Sequence, residues 1–258
     1  MTAFELFSLK GKTALVTGAT GLVGRQIALA LAQAGAKTFI ANRSLDRLEA
    51  ESDDLRGQGY DITALRFDQR QEDSIMALRD EIVGRTKCLD VLVNNAVDRP
   101  MTSWTSPAKG FVKSMNINAT GVFLMIRTFG EAMAAQGAGS IINITSIQGM
   151  VGPDFTLYKG LPWGAAPDYF FHKGGLISLT RYAASMLGPR GVRVNAVSPG
   201  GFFNNQEPAF VERYNARTFL GRMANQTDLM GTIIFLASDA SSYITGANIP
   251  VDGGYTAK

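Results

Sequence analysis

The chain has 258 residues, 46% of them hydrophobic and 18% charged, with a formal net charge of +3. That balance excludes an intrinsically disordered chain and provides enough apolar material for one large α/β domain. The basic residues are scattered, with no run and no interleaved aromatics, which excludes a nucleic-acid-binding footprint.

Cys88 is the only cysteine and His172 the only histidine. No internal disulfide and no thiolate or His-rich metal site can form, and no metal is expected. The opening MTAFELFSLKGK lacks a basic n-region followed by a long apolar core. No apolar run approaches the about 20 residues of a spanning helix. Neither a membrane partner nor a nucleic-acid partner is therefore expected, and the expected compartment is the cytoplasm.

In chain order, short β-branched runs alternate with longer Ala- and Leu-rich stretches, the rhythm of βαβ units. Lys12–Thr17 is the first strand and Leu22–Gln33 its helix; Lys37–Ala41 and Ser44–Arg56 follow, then Ile62–Phe67 and Asp73–Gly84. Leu89–Val93 is a fourth strand, Phe111–Met133 holds a long helix, and Ser140–Ile144 is a fifth strand. Tyr169–Leu187 is a helix, Val192–Val197 a sixth strand, Asp228–Leu236 a late helix and Ala247–Val251 an edge strand. Strands this apolar belong to a sheet buried on both faces. The expected fold is a single-domain α/β, Rossmann-type doubly wound parallel sheet with helices on both faces.

Between the first strand and helix lies TGATGLVG, comprising Thr17, Gly18, Ala19, Thr20, Gly21, Leu22, Val23 and Gly24. Glycine serves where a backbone turns tightly or lets a pyrophosphate approach, and a helix N-terminus attracts phosphate. The spacing is GxxGxxG, not the usual GxGxxG, and geometry alone could also call for these glycines. The second strand ends in Asn42–Arg43, where an NAD site usually carries a carboxylate for the ribose 2′-hydroxyl. Without that carboxylate, and with an arginine beside it, NADP(H) is preferred and NAD(H) is not excluded. Arg43 also reads as a solvated helix-start residue.

Tyr169 and Lys173 are four residues apart at the start of a helix, so they share a face. An ammonium beside a phenol, whose ordinary pKa is about 10, favours the phenolate and brings the group toward acid-base work. Tyr158 has Pro162 at the equivalent spacing and cannot do this. Ser146 ends the fifth strand, where open α/β sheets place ligands, and Asn118 lies on the long preceding helix. A cap or turn role for Ser146 and a backbone bond for Asn118 are the plainer alternatives.

These motifs resemble the short-chain dehydrogenases/reductases in their single-domain form, over nearly the whole chain. The likeness rests on TGATGLVG, NNA at Asn94–Ala96, N-x-x-G at Asn118–Gly121, NITSIQG, YFFHK with GGLISLTR, RVNAVSPGG and ITGANIPVDGG. The resemblance implies Tyr169 as acid/base and Lys173 as the residue that holds the nicotinamide ribose and lowers the Tyr169 pKa. Ser146 would orient the reacting oxygen, and Asn118 would support a proton relay through water. Thr17, Gly18, Gly24, Asn95 and Ala96 would line the cofactor, Asp68 would meet the adenine, and Pro199 and Gly200 would flank the nicotinamide. A homo-oligomer, tetramer or dimer, is also implied.

Three departures stand out. The glycine spacing is that of the family's extended branch, Val97 follows NNA where glycine is common, and Ser146 and Tyr169 are 23 residues apart. The excess falls in Gly152–Asp168, a Pro- and Gly-rich insert expected beside the active-site mouth, with Trp163, Phe155, Tyr158 and Lys159 as substrate contacts or as packing surface. Residues 201–225 are expected to form a lid, with Asn204, Asn205 or Gln206 near the cofactor amide. Ser146, Gln148, Trp163, Tyr169 and Phe202 form the expected substrate set, and His172 reads as a helix-face residue, not a catalyst.

The expected function is an NADP(H)-dependent oxidoreductase interconverting a ketone and a secondary alcohol on a small polar, sugar-like molecule. The insert and the SPGGFFNNQ segment resemble those of bacterial glycan- and flagellin-modification oxidoreductases, and the N-terminal part resembles gluconate 5-dehydrogenase-like enzymes. A non-catalytic NADP(H)-binding regulatory or scaffold protein, and a sugar-nucleotide epimerase or dehydratase, are the alternatives.

Overall fold

The computed structural model describes residues 2–257. Its strands are β1 (Thr13–Thr17), β2 (Lys37–Asn42), β3 (Ile62–Arg66), β4 (Val91–Asn94), β5 (Gly139–Ile144), β6 (Val192–Pro199) and β7 (Asn248–Val251). They form one sheet in the order β3-β2-β1-β4-β5-β6-β7, with every neighbouring pair parallel. The helices are α1 (Leu22–Gln33), α2 (Leu45–Gly57), α3 (Glu72–Thr86), α4 (Ala108–Met115), α5 (Val122–Gln136), α6 (Pro167–Leu187), α7 (Pro208–Asn215) and α8 (Met230–Ala237).

Alternation along the strands divides the core in two. Ala14 and Val16 of β1, Ile40 of β2, Val91 and Val93 of β4 and Ile142 of β5 face one way and pack under α1, α2 and α8. Leu15, Phe39, Leu92, Ile141 and Val194 face the other way, under α3, α5 and α6. This two-sided burial explains why the strands read as continuous apolar runs. The strand order reverses between β1 and β4, so their carboxyl ends splay apart and leave a crevice there.

The boundaries differ from the expected ones for local reasons. The long helix expected over 111–133 is α4 and α5 joined by a π-helical turn at Asn116–Gly121. Gly121 lets this turn lie close on Gln69, because a Cβ there would meet Gln69 O at 2.5 Å. Helix α6 starts at Pro167, whose fixed φ suits a first helical position; Pro167 and Asp168 therefore belong to the helix and not to the insert. Within the insert Phe155–Tyr158 forms a 3-10 turn, and the segment expected as a lid contains α7.

A buried polar ladder ties the sheet to α6. Asn94 Nδ2 donates to Asn143 Oδ1 (2.9 Å), Asn143 Nδ2 to Thr180 Oγ1 (2.9 Å), and Thr180 Oγ1 to Leu176 O (2.8 Å). Replacing Asn143 by leucine leaves the buried Asn94 amide without its partner, while Thr180 Oγ1 keeps its bond to Leu176 O. It is expected to destabilise the fold by about 1–3 kcal/mol, read as a lower midpoint in urea unfolding.

Candidate active site

At the carboxyl end of β1 the chain turns through Gly18 at φ +69°, where a Cβ would stand 2.7 Å from Ala96 Cα. A Cβ on Gly24 would stand 2.3 Å from Gly18 O. These two glycines are dictated by the turn's own packing. Gly21 is different: it precedes α1 with no side-chain cap, and its Cβ would meet nothing nearer than Gly18 O at 3.6 Å. A glycine there keeps the helix N-terminus open, as a phosphate cradle requires. The donor set therefore fits a dinucleotide.

Thr17 and Asn95 stitch the crevice from beneath. Thr17 Oγ1 accepts from the backbone N–H of Asn95 (3.1 Å) and Ala96 (3.0 Å), and Asn95 Nδ2 donates to Thr17 O and Gly18 O. Thr17 is fully buried and does not reach the cleft surface. At the end of β2, Asn42 Nδ2 donates to Thr20 Oγ1 (2.8 Å), placing this amide on the turn. Arg43 is exposed and forms no ion pair among the described residues, and it lies outside the cleft lining. Asp68 also lies outside it; its carboxylate is held by Arg70, which lowers its pKa.

A single cleft of about 820 Å³ runs from Thr20, Gly21, Leu22, Val23 and Asn42 past Asn95 and Ala96 to Ser146 and Tyr169. It is also lined by Pro199, Gly200, Phe202, Gln148, Tyr158 and Trp163. Ser146 is extended, and its Oγ accepts from Gln148 N at 3.1 Å, capping the 3-10 turn Ile147–Gly149. That turn lies directly on α6, because a Cβ on Gly149 would fall 2.6 Å from Lys173 C. The glycine contact is what brings Ser146 beside the Tyr169 and Lys173 face. Ser146 is thus both the cap and a cleft residue.

Lys173 is 5% exposed, and its Nζ donates to Ile144 O, at the end of β5, at 2.6 Å. It lies 5.6 Å from the Tyr169 ring centroid, while Arg99 lies over the same ring at 4.2 Å. Burial pushes the Tyr169 phenol up, but the charges of Lys173 and Arg99, with hydrogen bonding from Ser146 and Arg99, outweigh it. The net pKa lies below the ordinary tyrosine value. Burial acts on the lysine in the other direction and lowers it, with Tyr169 opposing. His172 packs edge-on to Tyr169, buried, its pKa driven down to about 3 by burial and by the Lys173 and Arg99 charges. It is neutral at pH 7 and does not line the cleft.

Asn118 sits in the π-helical turn, 3% exposed and away from the cleft. Its Oδ1 accepts from Asp98 N (3.0 Å), while its Nδ2 donates to Asp98 O (2.7 Å) and Ser114 Oγ (3.0 Å). One amide donor and the amide oxygen hold the backbone of Asp98, next to Arg99, and the other donor is tied to Ser114 of α4. Arg99 itself had no signal in the sequence: it follows NNA by three residues in no recurring pattern.

The insert packs in two directions. Outward, Asp154 pairs with Arg217, and Arg213 Nη1 donates to Lys159 O (2.7 Å). Inward, Tyr158 and Trp163 pack with tilted rings against Phe210 of α7 at centroid separations of 5.7 and 4.9 Å. Phe155, Lys159 and Asn205 do not reach the cleft, whereas Asn204 and Gln206 do. Tyr214 and Tyr255 complete this aromatic wall, 5.1 Å apart and stacked; no periodicity marks them.

The family model described as enoyl-(acyl carrier protein) reductase matches residues 18–256. The chain is 35% identical over 249 residues to a 3-oxoacyl-(acyl-carrier-protein) reductase FabG of Staphylococcus aureus, covering 94% of this chain and 97% of that one. It is 34% identical over 260 residues to the 2-dehydro-3-deoxy-D-gluconate 5-dehydrogenase of Escherichia coli, covering 98% of each. A gluconate 5-dehydrogenase from Burkholderia cenocepacia, solved in complex with NADP and tartrate, superposes with a TM-score of 0.90 at 30% identity over 100% of both chains.

Lys173→Met is expected to raise the Tyr169 pKa, since the ammonium is the larger of the two charges lowering it. Ultraviolet phenolate titration, taken as the difference from Tyr169→Phe, should show the midpoint moving to higher pH.

Proposed function

The chain belongs to the short-chain dehydrogenase/reductase family, and on that premise we propose an NADP(H)-dependent enzyme that interconverts a ketone and a secondary alcohol on a small sugar-like molecule in the cytoplasm. The observation that carries this reading is the half-buried Tyr169, whose pKa lies below its ordinary value, beside Ser146 on the cleft wall. The similarity to two sugar-acid dehydrogenases supports the substrate class.

The turn at Gly18, Gly21, Leu22 and Val23 would hold the pyrophosphate of the cofactor, Pro199 and Gly200 its nicotinamide, and Lys173 the adjoining ribose. The cofactor, when bound, supplies or takes the hydride at the reacting carbon. Ser146 Oγ holds the reacting oxygen in place. In reduction Tyr169 gives its hydroxyl proton to that oxygen; in oxidation its phenolate takes the proton back. The Lys173 ammonium, fixed by Ile144 O, stabilises the phenolate left behind. Asn118 acts here at one remove, by holding Asp98 and Arg99 in register with the site. At the end of β2 no carboxylate opposes a 2′-phosphate, and Arg43, exposed and in no ion pair among the described residues, would meet one.

Tyr169→Phe should lower kcat by about 10²–10⁴-fold with cofactor affinity retained, as followed by quenching of protein fluorescence; wild-type turnover in this variant would overturn the assignment. Because phenolate is the base in alcohol oxidation, kcat/KM in that direction should rise with pH and level off below the ordinary tyrosine pKa. Arg43→Ala should reduce the kcat/KM preference for NADPH over NADH by roughly 10-fold, the loss of one charge-assisted contact.

A further inference from the structure

Pro199 ends β6, and the chain runs on along the cleft through Gly200 and Gly201, the strip that would carry the nicotinamide. Neither glycine has a positive φ, so backbone conformation does not call for them. Their reason is steric. A Cβ on Gly200 would stand 3.0 Å from Tyr214 Oη and equally close to Asp252 Cα, and one on Gly201 would stand 2.9 Å from Tyr214 Cζ. The Tyr214 ring therefore lies directly against the strip, in a fit that a side chain on either glycine would disturb.

A hydrogen bond reinforces that fit. The Tyr214 hydroxyl accepts from Gly201 N, which has no other acceptor among the described residues. Gly200 N donates to Val251 O of β7 (3.0 Å), and Gly201 O accepts from Ala224 N (2.9 Å). Burial pushes the Tyr214 phenol above its ordinary range, so the hydroxyl stays neutral.

Tyr214 is itself anchored. It is 5% exposed and stacks on Tyr255. One residue earlier, Arg213 donates to Leu157 O (3.2 Å) and Lys159 O (2.7 Å); three residues later, Arg217 pairs with Asp154. These bonds tie α7 and the residues just after it to the insert, so the ring meets the strip as a fixed support. The turn that would hold the pyrophosphate is built separately, by Thr17 and Asn95, with no hydrogen bond to α7 among the described residues.

We propose that Tyr214 is a positioning residue for the cofactor, holding the Gly200–Gly201 strip where the nicotinamide half of the dinucleotide needs it and leaving the other half untouched. This deepens the dehydrogenase reading and rests on it.

Tyr214→Phe keeps the ring and its stacking but leaves Gly201 N without an acceptor. Calorimetry should compare NADP⁺ with 2′-phospho-ADP-ribose, the same molecule without its nicotinamide. The wild type is expected to bind NADP⁺ more tightly than the fragment. In the variant, NADP⁺ affinity should fall roughly 10-fold, the effect of one orphaned buried donor. Fragment affinity should keep its wild-type value, which also reports an intact fold. Gly201→Ala retains the hydroxyl but forces strip and ring apart, and should give the same selective loss. Either variant weakening both ligands alike, or leaving both unchanged, would overturn the proposal, as would a wild type that binds the two ligands equally well. The dehydrogenase reading fails separately, and the proposal with it, if the wild type binds neither ligand or if Tyr169→Phe leaves turnover of carbonyl substrates intact.

Discussion

The site is organised around a charge removed from water. The Lys173 ammonium is almost fully buried, and a buried cation is tolerated only where acceptors surround it. Its acceptor is Ile144 O, at the last residue of β5, and the Tyr169 phenol, in its ionised form, supplies an opposing charge nearby. The requirement to satisfy Lys173 therefore fixes α6 against the carboxyl end of the sheet and makes the phenolate the favoured partner. Gly149 supports the same arrangement, because a side chain there would push the Ser146 turn off the α6 backbone. Electrostatics and close packing thus converge on one geometry.

Arg99 adds a second positive field to the same phenol, and it does so through a chain of dependencies. The π-helical turn places Asn118 under the segment after β4; Asn118 grips the backbone of Asp98; and Arg99 is thereby held over the Tyr169 ring. A helical irregularity is in this way converted into a charge at the site. The Asn118 side chain works on the protein, not on the ligand.

Much of this was legible in the sequence. β-branched runs between helical stretches marked the sheet, since strands buried on both faces need apolar residues at every position. The four-residue spacing of Tyr169 and Lys173 marked two side chains that meet, because a helix turns that spacing directly into proximity. Three kinds of feature were not legible. Thr17, Asn95 and Asn118 carry motif positions, but which way a side chain points is decided by the strand or turn beneath it. The aromatic wall gathers Tyr158, Phe210, Tyr214 and Tyr255 from separate segments with no shared period. Helix α7 and the early start of α6 depend on prolines, which read as breaks in a sequence but serve here as first helical residues.

The wall of the cleft has a small apolar core of its own, built from Ile147, Leu157, Phe210, Tyr214 and Met223. It joins the insert to the segment around α7 and is distinct from the two cores that sandwich the sheet. Substitutions that reshape the wall therefore draw on a separate reserve of packing energy, and their strain need not reach β1 or β4. Such a division lets a lineage change what the cleft admits while the crevice between β1 and β4 stays in place: the wall can drift on one clock and the sheet beneath it on another.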